Sequence, residues 1–285
     1  MADARLVAGA TQSMVAHVLI EAVVTDLDGT LVRADFSMSP ATLEALDRIH
    51  SAGIRFLVAT ARTPQGLDYL GVPANRVDVA VCCSGSIGWS PQQRTQLWQE
   101  MLASAAIAQV VEIAEAAGAG VASFDGALWR MTLEYARLSP DQPHGTTRLV
   151  VEPAALAAAP CCTMAVRHAG GDLPRIAALV ESQGGDAALS HVGRSTVLDV
   201  TGSGVDKGTG TLRALAILGV ESKSAISFGD MPNDVSMFRV TGRSYAVGAV
   251  HPDVVRAADE VIADVQHDGF ARKIADLAGA GWQFD

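Results

Sequence analysis

Val18 to Thr25 is an apolar run rich in β-branched residues that stops abruptly at the polar string Asp26-Leu27-Asp28-Gly29-Thr30. A run without polar alternation predicts a strand covered on both faces, leading into a loop. Ser39 and Pro40 suit a helix cap and first turn, Leu43, Leu46 and Ile49 recur at helical spacing, and Gly53 stands where that helix would end. Two further apolar runs, Ile54 to Ala59 and Val77 to Cys83, close on Thr60-Ala61-Arg62 and Ser84-Gly85-Ser86. Strand, helix and strand in that order predict an α/β core with a doubly wound, mostly parallel, Rossmann-like sheet. Ligands bind such a sheet at the C-terminal ends of its strands.

From Ile87 the pattern changes. A helix over Ser104 to Ala117 precedes short strands near Val121 to Phe124 and Leu128 to Thr132, then a polar stretch, Ser139 to Thr146. Thr163 to Arg167 reads as strand and Leu173 to Gln183 as an amphipathic helix ended by Gly184. Strands near Ala187 to His191 and Thr196 to Val200 follow. The doubly wound pattern returns with a helix over Gly208 to Leu218 and a buried strand over Ala225 to Phe228. Tyr245 to Val247 adds a strand and Phe270 to Leu277 a closing helix. The expected organisation is a core formed by 1–86 and 195–285, with an α+β cap domain inserted at 87–194.

Composition narrows the class. A formal charge of −10 argues against an extended nucleic acid partner, which would require clustered cations. A small phosphorylated metabolite needs only a local cationic pocket. No apolar run reaches membrane-spanning length, and Met1 to Ile20 lacks the cationic start and unbroken apolar stretch of a secretion signal, so a cytoplasmic protein without membrane contact is expected. The four cysteines form two adjacent pairs, Cys82-Cys83 and Cys161-Cys162, inside apolar segments. They read as buried, reduced thiols rather than zinc ligands. Oligomeric state is not legible.

The polar strings at strand ends carry the chemistry. Asp26 and Asp28 are two carboxylates two residues apart, and carboxylates withdrawn from water need a cation or hydrogen bonds. Mg²⁺ supplies such a charge, using one or two carboxylates, waters and a substrate phosphate. Asp26, Asp28, Asp230 and Asp234 are the candidate metal-side residues, Asp234 by holding a coordinating water or ligand. Lys207, just before a helix, offers a further positive charge to a phosphate. Asp26 is the candidate nucleophile and Asp28 the acid and base serving leaving group and water. Thr60, Asn233 and Arg62 are candidates to bind the substrate phosphate.

Four stretches in this order, Asp26 to Thr30, Thr60, Lys207, and Gly229-Asp230-Met231-Pro232-Asn233-Asp234, resemble the four motifs of the haloacid dehalogenase-like phosphatases. The long gap between Thr60 and Lys207, with Val205-Asp206-Lys207-Gly208 and Phe228-Gly229-Asp230, resembles the Cof-type subfamily. The resemblance implies a magnesium-dependent phosphatase with a large α/β cap and an aspartyl-phosphate on Asp26. It also implies that the backbone carbonyl of Asp28 meets the metal. Two departures concern substrate contacts: Ala61 stands where Gly is usual, and Ser84 stands where Asn-Gly is commoner.

The alternatives are a sugar phosphomutase of similar architecture and a non-catalytic ligand-binding protein that kept the fold. Sugar phosphates, phosphoglycerate conjugates, flavin mononucleotide and pyridoxal phosphate all suit a capped site. In the cap, His144, His168, His191 and the tryptophans read as structural or solvated. The hairpin at Asp125-Gly126, with Trp129, is a candidate to face the active site.

Overall fold

The computed structural model describes residues 18–139, 147–190, 197–248 and 251–284. Met1 to His17, most of the polar stretch at 139–146 with His144, and His191 and Thr196 of the predicted cap strands lie outside the described residues.

Two sheets dominate the molecule. The larger has eight strands in the order Glu260–Ile262, Arg243–Val247, Ala225–Gly229, Ala22–Thr25, Arg55–Ala59, Val79–Cys82, Ile87–Ser90 and Thr95–Gln99. The first six run parallel and the last two form an antiparallel hairpin on the edge. Alternate side chains enter separate apolar layers, as a strand demands. Val23, Phe56, Val58, Ile226 and Phe228 meet Leu46, Ile49, Phe270 and Ile274 on one face. Ala22, Val24, Leu57 and Val81 meet Ala214, Leu215, Met237 and Phe238 on the other. Covering both faces is what makes the strands continuously apolar in sequence.

The smaller sheet has six strands, in the order Ala187–Ser190, Leu198–Gly202, Thr163–Arg167, Gly120–Phe124, Leu128–Met131 and Thr147–Val150. Helices Ser104–Ala116, Pro153–Ala157 and Leu173–Gln183 cover one face through Ile107, Val110, Leu156, Ile176 and Val180. The opposite face, with Ala122, Met131 and Ala165, carries among the described residues only the short helix Leu133–Leu138 and turns toward the strand ends of the larger sheet.

Strand pairing moves the junctions away from 86/87 and 194/195. Ile87–Ser90 and Thr95–Gln99 hydrogen-bond with the larger sheet, while Leu198–Gly202 belongs to the smaller one. We therefore place the crossings near Glu100 and Ser203. The reason is local: Cys83, Ser84 and Gly85 all adopt positive φ, which folds the chain back on its own edge strand instead of carrying it away. Among the described residues no helix is long and apolar enough to cross a membrane. All four cysteines are buried and unbridged.

Candidate active site

Three neighbouring parallel strands deliver the polar strings to one place. Ala22–Thr25 leads to Asp26 and Asp28, Arg55–Ala59 to Thr60 and Arg62, and Ala225–Gly229 to Asp230. Helix Lys207–Leu218, capped by Asp206 accepting from the Thr209 amide, brings Lys207 beneath them. The turn after Asp28 depends on Gly29, whose φ is +88°; a Cβ there would lie 2.4 Å from Asp230 Oδ2. Thr30 completes the turn by donating its hydroxyl to Asp230 Oδ1 at 2.8 Å.

Lys207 is the electrostatic centre of the floor. Its Nζ donates to Asp26 Oδ1 at 2.6 Å and Asp234 Oδ1 at 2.7 Å, and the lysine is only 2% exposed. Burial pulls its pKa down, but Asp234 and Asp26 outweigh that and the net shift is upward. Asp26 is pushed well above the ordinary carboxylate range, by burial first and then by Asp234, Asp230 and Asp28, with Lys207 opposing. Asp230 is pushed up to about 7, chiefly by burial and by Asp234. One ligand oxygen from each of Asp26, Asp230 and Asp234 lies within 4.8 Å of the others. Three buried carboxylates facing one lysine leave negative charge uncompensated, and a hard divalent cation fits that donor set.

The expected residues divide by what they touch. Asp234 Oδ2 accepts from the Asp230 and Met231 amides, both at 3.0 Å, while its Oδ1 takes Lys207. Its carboxylate thus ties the loop to the lysine. Asp28 stands outside the three-carboxylate cluster because Arg62 claims it: Nε and Nη2 donate to its two oxygens, each at 2.6 Å. Arg62 also lies over the Phe36 ring at 5.3 Å. Thr60 is buried, its hydroxyl accepts from the Arg62 amide at 3.1 Å, and its carbonyl accepts from the Ser84 amide at 3.0 Å. Ser84 adopts φ +52° ahead of Gly85 at +109°, the conformation an Asn-Gly pair adopts readily and a serine with strain. Asn233 Oδ1 is buried with no hydrogen-bond partner among the described residues. Since amide O and N are interchangeable by a flip, the group is available to a ligand oxygen.

A cavity of about 340 Å³ joins these residues to the cap. Asp26, Asp28, Thr60, Arg62, Lys207 and Asn233 line its floor, and Trp129, Tyr135, Ala165, Val197 and Asp199 its roof. Of the Asp125 hairpin only Trp129 reaches it; the Asp125 carboxylate is occupied by the Ala127 and Leu128 amides and by Arg130. The sequence reading missed Tyr135 and Asp199, and gave Thr30 no role of its own within the Asp26 to Thr30 string. The available signal for Asp199 was an acid within the apolar strand Leu198–Gly202, and none marked Tyr135.

Comparison with known proteins bears on the family and the fold. The sequence profile of the haloacid dehalogenase-like hydrolases matches residues 23–274. A phosphoglycolate phosphatase of Halorubrum lacusprofundi is 40% identical over 94 residues, 33% of this chain and 40% of that protein. The first curated relatives are thus matched over about two fifths of their own length. A pyridoxal phosphate phosphatase of Escherichia coli is 24% identical over 259 residues, 87% of this chain and 95% of that protein. In fold, the chain is similar to a subclass IIB sugar phosphatase, with TM-score 0.79 and 20% identity over 90% of this chain and 99% of the other. A haloacid dehalogenase-like hydrolase from Bacteroides thetaiotaomicron gives TM-score 0.73 at 22% identity, over 90% of this chain and 99% of the other.

Proposed function

The chain belongs to the haloacid dehalogenase-like hydrolase family, and from that membership we propose that it is a magnesium-dependent phosphomonoester hydrolase of the Cof type. Its substrate is a small phosphorylated metabolite, and phosphate passes through an aspartyl-phosphate on Asp26. The observation that carries this reading is the Asp26 carboxylate, held by Lys207 at 2.6 Å, beside Asp230 and Asp234 on the floor of a capped cavity.

Attack of a carboxylate on a phosphate ester brings two anions together, so catalysis is mainly positioning and charge compensation. Asp26, Asp230 and the Asp28 backbone carbonyl would hold Mg²⁺, which when bound neutralises charge between nucleophile and phosphate. Lys207 fixes the Asp26 oxygen and offers its charge to the phosphate. Thr60 and Asn233 bind phosphate oxygens. Arg62 exchanges its hold on Asp28 for the incoming phosphate, which leaves Asp28 able to donate a proton to the leaving oxygen and later to take one from water. Asp234 acts through its grip on Lys207 and the Asp230 loop.

The test is a phosphate-release screen with and without Mg²⁺, over a panel of phosphometabolites that includes the named substrates of the relatives, phosphoglycolate and pyridoxal phosphate. Stoichiometric inorganic phosphate supports a hydrolase, whereas isomerised substrate without phosphate release defeats it in favour of a mutase. Saturable binding without turnover of any member, activated aryl phosphate included, would defeat enzymatic function.

A further inference from the structure

The roof of the cavity carries a charge that the chemistry at Asp26 does not use. Asp199 lies on Leu198–Gly202, directly opposite Ala165 of Thr163–Arg167, and Ala165 in turn pairs with Ala122. The two alanines in its row offer small neighbours, and Asp199 shares the lining of the cavity with Trp129 and Tyr135. Arg167, two residues along from Ala165 on the same face, does not join that lining. Its guanidinium lies over the Tyr135 ring at 5.7 Å and hydrogen-bonds the Tyr135 side chain. Among the described roof residues that line the cavity, Asp199 alone is charged.

The setting makes that charge felt. Burial pushes the Asp199 carboxyl up to about 6, with Lys207 and Arg167 opposing, so above neutral pH it is an anion poorly screened by water. Its oxygens accept hydrogen bonds from hydroxyl groups, and a second carboxylate offers none.

Given the phosphatase reading above, on which this rests, we propose that Asp199 selects the leaving group by charge. Esters of a neutral, hydroxyl-bearing alcohol are accepted, and esters whose alcohol part carries a second anion are rejected. The volume of the cavity does not make this distinction, since a CH₂OH group and a carboxylate are of similar size.

The experiment compares 2-hydroxyethyl phosphate with 2-phosphoglycolate, which differ in that one group alone, with Mg²⁺ above neutral pH. Relative kcat/KM is read directly or, where turnover is slow, from inhibition constants against p-nitrophenyl phosphate. The wild-type enzyme is expected to favour the neutral ester by roughly tenfold to a hundredfold, as for two like charges near one another in a partly desolvated site. Asp199→Asn keeps the shape and removes the charge, and should reduce that ratio by about tenfold; the ratio cancels any general loss of activity. Asp199→Ser supplies the same comparison should the amide variant not fold. Equal or reversed preference in the wild type, or a preference that survives loss of the charge, overturns the proposal. Failure to hydrolyse p-nitrophenyl phosphate defeats the phosphatase reading and the proposal with it, whereas hydrolysis with a flat ratio defeats the proposal alone.

Discussion

Replacing Lys207 with Met removes a charge while nearly keeping its volume. In the native protein Nζ bridges Asp26 and Asp234 at 2.6 and 2.7 Å, in a position where the lysine is 2% exposed. Breaking a buried ion pair by deleting one partner costs about 3–5 kcal/mol, because the remaining charge is neither solvated nor paired. For a domain of roughly this size each kcal/mol moves Tm by about 2–4 °C, so the variant should melt roughly 10 °C below the wild type. The pH dependence has a definite sign. The raised Lys207 pKa means its contribution is fully present below the ordinary lysine value and is lost only in strong alkali. Asp26 has a raised pKa even with the lysine present, so its charged form is a cost that grows as pH rises from the unfolded carboxylate value. Without Lys207 that cost is larger. The gap in Tm between wild type and Lys207→Met should therefore widen from pH 5 to pH 8, read by thermal denaturation in EDTA, and narrow when Mg²⁺ is added. A variant that melts within about 2 °C of the wild type at pH 8, or a gap that widens on acidification, would refute the account of Lys207 as the buried counter-charge.

Asp26→Asn should lower turnover of p-nitrophenyl phosphate by at least about a thousandfold, and failure to trap phosphate on the wild-type residue would remove covalent catalysis. Asp230→Ala should shift the Mg²⁺ activation curve to at least about tenfold higher concentration; an unchanged titration would take Asp230 off the ligand set. Gly29→Ala places a methyl 2.4 Å from Asp230 Oδ2 at φ +88°, and the expected result is the same Mg²⁺ defect as Asp230→Ala together with a lower Tm. Metal-free protein should lose stability as pH rises toward and through about 7, where Asp230 ionises, and Mg²⁺ should restore it; a metal-free Tm flat between pH 5 and 8 would contradict the uncompensated charge at that position.

Local pattern determined much of this. Continuous apolar runs ending in Asp26-Leu27-Asp28, Thr60 and Asp230 are legible as buried parallel strands, since only strands covered on both faces read that way. Parallel strands present their C-terminal loops at one edge, so the convergence of those residues follows from the pattern. The tertiary structure decided the rest. Whether 87–99 joins the core depended on three successive positive-φ residues at 83–85, which periodicity does not register. The pairing of Arg62 with Asp28, and of Thr30 with Asp230, depended on which loops became neighbours in space. Asp199 faces the cavity because register sets it opposite Ala165, and a shift of one residue would turn it to the helical side. Sequence spacing specifies which side chains share a face of one element; which faces then meet across long separations is set by packing of the whole chain.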